Sequence, residues 1–117
     1  MNNTNKKKIA HRGEFWSIND NRTRGHKSFI VKGNKYRDYV LHLPITHSDT
    51  TRNMYNKRLI DNPQFNKSDY SYILTRIERT HESKLGKKHN DIQIKNTTDK
   101  AVVRNIIRNS KNRHKKR

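Results

Sequence analysis

The sequence predicts a mainly β protein with a C-terminal helix, its strands curled into a small antiparallel barrel or a related sandwich. Three observations predict it. Short apolar alternations recur at close spacing from residue 14 to residue 94. A turn dipeptide joins two of them as a hairpin, and the apolar period changes from two to a helical one after residue 97. With 117 residues, the chain suits one domain around a modest core.

Residues 1–11 are rich in Asn and Lys without periodicity and read as a disordered basic arm, so order is expected from Arg12 onward. "EFWSI" alternates large and small residues as a strand does, and "NDNRTRGH" follows as a basic loop. "SFIVKG" is the second strand. "GN" after it favours a turn with positive φ, and "YRDYVLHLPIT" returns as the third strand, closing a hairpin. Tyr39, Leu41, Leu43 and Ile45 share one face of that strand, which places the core there. Pro44 cannot donate to a ladder, so it is expected at a sheet edge or bulge.

"NKRLID" reads as a fourth, edge-like strand and "SYILTRI" as a more apolar fifth. "ERTHESKLGKK" reads as a connection with one turn of helix, and "DIQI" as a last short strand. In "TTDKAVVRNIIRNSKNRHKKR" Thr97 or Thr98 can cap a helix, and Asp99 suits its first turn. Val102, Val103, Ile106 and Ile107 form one apolar stripe. The domain therefore spans 12–109, with 110–117 as a basic tail. Several short strands and one terminal helix point to a barrel of the SH3 type.

Composition narrows the partners. Lys and Arg number 28 against 10 Asp and Glu, a formal charge of +18, so a polyanion is the leading partner through counterion release. No apolar run approaches the ~20 residues of a membrane span, and no signal-type stretch follows Lys6, Lys7 and Lys8, so a cytoplasmic location without membrane is expected. The chain has no cysteine, which removes disulfides and thiolate metal sites. His42 and His47 fall on opposite faces of a regular strand, so no metal is assigned there.

At "RGEFW", with Gly25 and His26 following after eight residues, the chain resembles the MazF/PemK-like toxin family of toxin-antitoxin systems. The opening comprises Arg12, Gly13, Glu14, Phe15 and Trp16. "YVLHLPITHS" is similar to the family's third-strand signature and "YILTRIERTHESKLGKK" to its later Arg-Thr segment, so the resemblance covers roughly residues 12 to 109. It implies a dimeric SH3-like barrel that cleaves single-stranded RNA without metal or other cofactor, opposed by an acidic antitoxin. The family usually continues after Gly-His with a Gly-rich stretch ending in Arg-Pro, whose Arg serves catalysis in many members. Here Lys27 and Ser28 stand at that point.

Metal-independent RNA cleavage needs a base for the 2'-OH, an acid for the leaving oxygen and a cation beside the developing charge. His26 and Lys27 at the end of the first loop, with Thr46 and His47 at the end of the third strand, supply those chemistries if the two ends converge. Arg22, Arg24, Arg52, Lys57, Arg58, Arg113, Lys115, Lys116 and Arg117 are candidate phosphate contacts. Tyr36, Tyr55, Phe65 and Tyr70 are candidates for base stacking, whereas Trp16 reads as core or dimer interface. Two other readings stand beside the ribonuclease: a non-catalytic nucleic-acid-binding module on the same fold, and an interaction protein whose basic surface meets an acidic partner.

Overall fold

Phe15–Ile18 forms β1 and Lys27–Lys32 forms β2, paired antiparallel with Phe15 opposite Phe29 and Ser17 opposite Lys27. These positions come from a computed structural model that describes residues 7–19, 27–46, 57–60 and 71–115. Strand β3, Tyr39–Thr46, pairs with β2, Ser28 lying opposite Pro44 and Phe29 opposite Leu43. Lys57–Leu59 is β4, Ser71–Ile73 is β5, Glu78–His81 is β6 and Leu85–His89 is β7, and helix α1 runs Thr97–Lys115. All seven strands are antiparallel in one open sheet of order β4-β5-β3-β2-β1-β7, with β6 added on β3.

The centre of the sheet is β3. One of its edges is covered by β2 and the other by two strands in succession, β6 along Tyr39–His42 and β5 along Ile45–Thr46. Pro44 is therefore inside the sheet and not at an edge. Its carbonyl accepts from the Leu74 N–H at 3.1 Å. In an extended strand the N and C=O of one residue point the same way, so its missing donor falls where β3 changes partners.

Both faces of the sheet are buried, where the sequence pattern suggested one. On the first face Leu43 and Ile45 pack with Phe15, Phe29, Val31 and Ile73 beneath Val103, Ile106 and Ile107 of α1. Leu41 and Val102 are half-buried against this core, and the Phe15 and Phe29 rings meet edge-on at 5.6 Å. On the opposite face Trp16, Ile18, Ile30, Val40 and Leu85 close over Ala10. Alternation distributes neighbours between the two: Phe15 lies in one core and Trp16 in the other. Tyr39 is half-buried, with the Arg79 guanidinium 4.0 Å from its ring centre.

Several local expectations are corrected. Residues 7–10, read as part of a disordered arm, lie against the sheet. Asn34 is fully buried and clasps them, its Oδ1 accepting from the Ala10 N–H at 2.8 Å and its amide donating to the Lys8 carbonyl at 2.8 Å. Gly33, in the β2–β3 turn, does not adopt positive φ. Its lack of a side chain serves close approach, because a Cβ there would collide with the Ala10 carbonyl oxygen. Among the described glycines, positive φ belongs to Gly13, at 93°, in the turn before β1.

The connection "ERTHESKLGKK" holds β6, a 3₁₀ turn over Glu82–Lys84 and the start of β7. The His81 side chain caps that turn by accepting from the Ser83 N–H. "DIQI" is not a strand: Ile92 is buried and Ile94 half-buried in the core under α1, so their alternation reflects packing without a ladder. Neither threonine caps α1. Asn96 Oδ1 accepts from the N–H groups of Thr98 and Asp99. Asp99 is 1% exposed and accepts from the Ile60 N–H at 2.9 Å, which ties the helix start to the end of β4.

Candidate functional site

The motif that opens the domain is held by its carboxylate. Glu14 Oε1 accepts from the Trp16 indole at 2.9 Å and from the His11 N–H at 2.8 Å, and Oε2 lies 3.0 Å from Lys88 Nζ. Partial burial pushes the carboxyl up. The bonds from Trp16, His11 and Lys88 outweigh it and hold the pKa at about 2 against 4.5. Glu14 thus fixes the entry to β1, the strand that carries Ser17.

Ser17 meets a residue that belongs to none of the sequence motifs. Its Oγ lies 2.7 Å from His89 Nε2 on β7. The hydrogen bond runs in the direction set by which ring nitrogen carries the proton. Burial lowers the His89 pKa, and the charges of Lys27 and Lys87 lower it further, while Asp91 opposes them. The ring is therefore biased to its neutral form. Lys27 faces Ser17 across the β1–β2 ladder, so three strands bring a hydroxyl, a neutral imidazole and an ammonium together. All three residues are half-buried and within reach of solvent.

Such a group can accept a proton from an alcohol and offset negative charge nearby. His89 follows directly on "ERTHESKLGKK", which reads as a connection, and no motif includes it. Its signal was present only in the register, which pairs His89 with Phe15 and so lays its ring beside Ser17.

Of the four catalytic candidates, Lys27 and Thr46 are described. Ser28 pairs with Pro44, so Lys27 and Thr46 stand at the same end of neighbouring strands. Strand alternation sets Lys27 with Phe29 on the helix side and Thr46 with Pro44 on the other. His26 and His47 lie outside the described residues, as do Arg22, Arg24, Arg52, Lys116 and Arg117. Lys57 and Arg58 stand exposed on β4. Arg113 and Lys115 belong to α1, and their side chains lie outside the description. Among the stacking candidates Tyr36 is 82% exposed with Lys35 Nζ 5.4 Å from its ring centre. Tyr55, Phe65 and Tyr70 lie outside the described residues, and Trp16 is in the core.

A second histidine is fully buried. His42 sits on the face opposite α1, with Nδ1 3.0 Å from Ser28 Oγ and Nε2 2.8 Å from Thr80 Oγ1. Both ring nitrogens are satisfied, so it ties β3 to β2 and β6 as a structural bridge. No helix among the described residues is long and apolar enough to cross a membrane. Compared with protein-family models the chain matches none, and no curated protein matches it.

Proposed function

We propose that this protein is a PemK-like toxin: a homodimeric endoribonuclease on an SH3-like barrel that cleaves single-stranded RNA without metal and is restrained by an acidic antitoxin. The observation that carries the reading is the Ser17, Lys27 and His89 group, a base biased to its neutral form beside a cation in a strongly basic protein. His89 is the base for the 2'-OH, Lys27 stabilises the negative charge that develops on phosphorus, and Ser17 orients the imidazole. His26 and His47 remain candidates for the leaving-group acid.

The barrel itself has a geometric support. Strands β6 and β7 lie at opposite ends of the run β6-β3-β2-β1-β7, about 19 Å apart if the sheet were flat. The 3₁₀ turn between them advances only about 8 Å. A sheet whose ends are joined so tightly must curl, as an SH3-like barrel does.

The test is incubation of a heterogeneous RNA with excess chelator. Wild-type protein is expected to cleave, and His89→Ala to lose about 10²- to 10⁴-fold in rate with RNA affinity within a few-fold. The same comparison with His26→Ala and His47→Ala assigns the acid. One observation favours a second reading, a binding module without catalysis: Lys27 occupies the point where the family carries arginine, and an ammonium lacks the planar fork that grips a phosphate at two oxygens. RNA bound tightly yet left intact from pH 5 to 9 would establish that reading instead.

A further inference from the structure

Between the turn before β1 and the N-terminal half of α1 lies a cleft of about 300 Å³. Its rim carries Arg12, Lys100 and Arg104, and its floor is made by Phe29, Val103 and Ile107. Gly13, with φ of 93° and its N–H donating to the Ile30 carbonyl, makes the turn that brings Arg12 to this rim. Lys100 and Arg104 are four residues apart on one helix face, where like charges repel unless an anion lies between them. Among the described residues none of the three cationic side chains has a hydrogen-bond or ion-pair partner, and no acidic side chain lines the cleft. Three unneutralised cations around an apolar floor suit a ligand that is itself anionic at one end and flat and apolar at the other.

We infer that this cleft binds a nucleoside phosphate, its base laid on Phe29, Val103 and Ile107 and its phosphate held by Arg12, Lys100 and Arg104. The volume is at the lower bound of small-ligand sites and accommodates about one nucleotide, not a folded partner. Sequence-tolerant binding of single strands uses the same combination of a base platform and a cationic edge. The ligand is either a free nucleotide or one unit of an RNA strand. Phe29 follows Lys27 by two residues along β2, about 6.6 Å, so a strand seated in the cleft would run toward the Ser17, Lys27 and His89 group. The strand form rests on the proposed function in its RNA ligand, though not in its cleavage.

The probes are adenosine monophosphate, inorganic phosphate and an unstructured oligoribonucleotide, each titrated into the full chain and followed by amide NMR. Adenosine monophosphate is expected to shift Gly13, Gln93, Lys100 and Arg104 and to bind at least about tenfold more tightly than phosphate at equal ionic strength, because only the nucleotide reaches the floor. Lys100→Ala with Arg104→Ala, both exposed and outside the core, should remove that binding while leaving the folded spectrum unchanged. If the same pair weakens the oligonucleotide about tenfold or more, when Lys35→Ala with Lys84→Ala costs only a few-fold, the source is an RNA strand. An unchanged oligonucleotide affinity assigns the free nucleotide. Equal binding of nucleotide and phosphate, shifts centred elsewhere, or a cleft that responds only to an acidic peptide overturns the inference. Absence of RNA cleavage bears on the proposed function alone.

Discussion

Replacing Glu14 by Gln keeps the shape of the side chain and its ability to accept from the Trp16 indole and the His11 N–H, while removing the charge that faces Lys88. The folded carboxyl titrates at about 2 and the unfolded one near 4.5, so its charged form is favoured by folding. A group whose pKa is depressed contributes stability that is fully present above the unfolded value and is lost as pH falls through the folded one; here the window runs from 4.5 down to about 2. At ~1.36 kcal/mol for each tenfold change in proton affinity, the contribution at pH 7 is about 3 kcal/mol. Because Lys88 is 42% exposed and Glu14 only partly buried, solvent screening makes this an upper bound. In urea unfolding the Glu14→Gln midpoint should fall by about 1–2 M at pH 7 with the slope unchanged. The gap between the two proteins should narrow steadily below pH 4.5. A loss under about 0.5 kcal/mol at pH 7, or a gap that stays constant to pH 2.5, would refute the assignment of Glu14 as a charge-dependent anchor.

Asn34→Ala removes one buried and two part-buried hydrogen bonds, one of the latter from its amide to the Glu82 carboxylate at 2.7 Å, and should cost about 3 kcal/mol, read as a melting temperature lower by roughly 10 °C. Gly33→Ala sets a methyl against the Ala10 carbonyl oxygen and should destabilise despite lowering the entropy of the unfolded chain; a protein as stable as wild type by denaturant titration would contradict the close approach. His89, followed by NMR, should titrate below 6.5. Lys27→Ala should raise its midpoint and Asp91→Asn lower it, and two shifts of the same sign would exclude the charge relations drawn here.

Where the sequence was informative, one physical signal was dominant. The alternation in "EFWSI", "SFIVK" and "YVLHLPIT" marks β1, β2 and β3 because each residue must choose a face. The stripe of Val103, Ile106 and Ile107 marks α1 because only a helix brings those three together. The second core was not legible. Val40, Ile30 and Trp16 occupy positions that alternation assigns outward, and they are buried only because Ala10 and Leu85, distant in sequence, fold over them. Strand β7 was hidden by its own composition: "LGKKH" holds a glycine followed by two lysines, and it is a strand because β1 offers a free ladder edge. The site shares that fate. Lys27 could be placed beside chemistry from its position after the loop, whereas Ser17 and His89 are 72 residues apart and become neighbours only through the β1–β7 register.

That register also sets the order in which the protein can be completed during synthesis. Strand β1 has two edges. Strand β2 covers one soon after it is made, but the other waits for Leu85–His89, roughly 70 residues later. At ~5–20 residues per second, the ribosome leaves "FWSI" as an unfinished edge for about 4–14 s. Such an edge on a nascent chain is a template for pairing with neighbouring chains, and Lys and Arg beside a strand are what discourage it. Lys27, opposite Ser17, sets a charge beside the open strand until β7 arrives to close it. The lysine that stands beside Ser17 and His89 in the finished protein therefore has an earlier task, keeping unfinished copies on crowded polysomes apart.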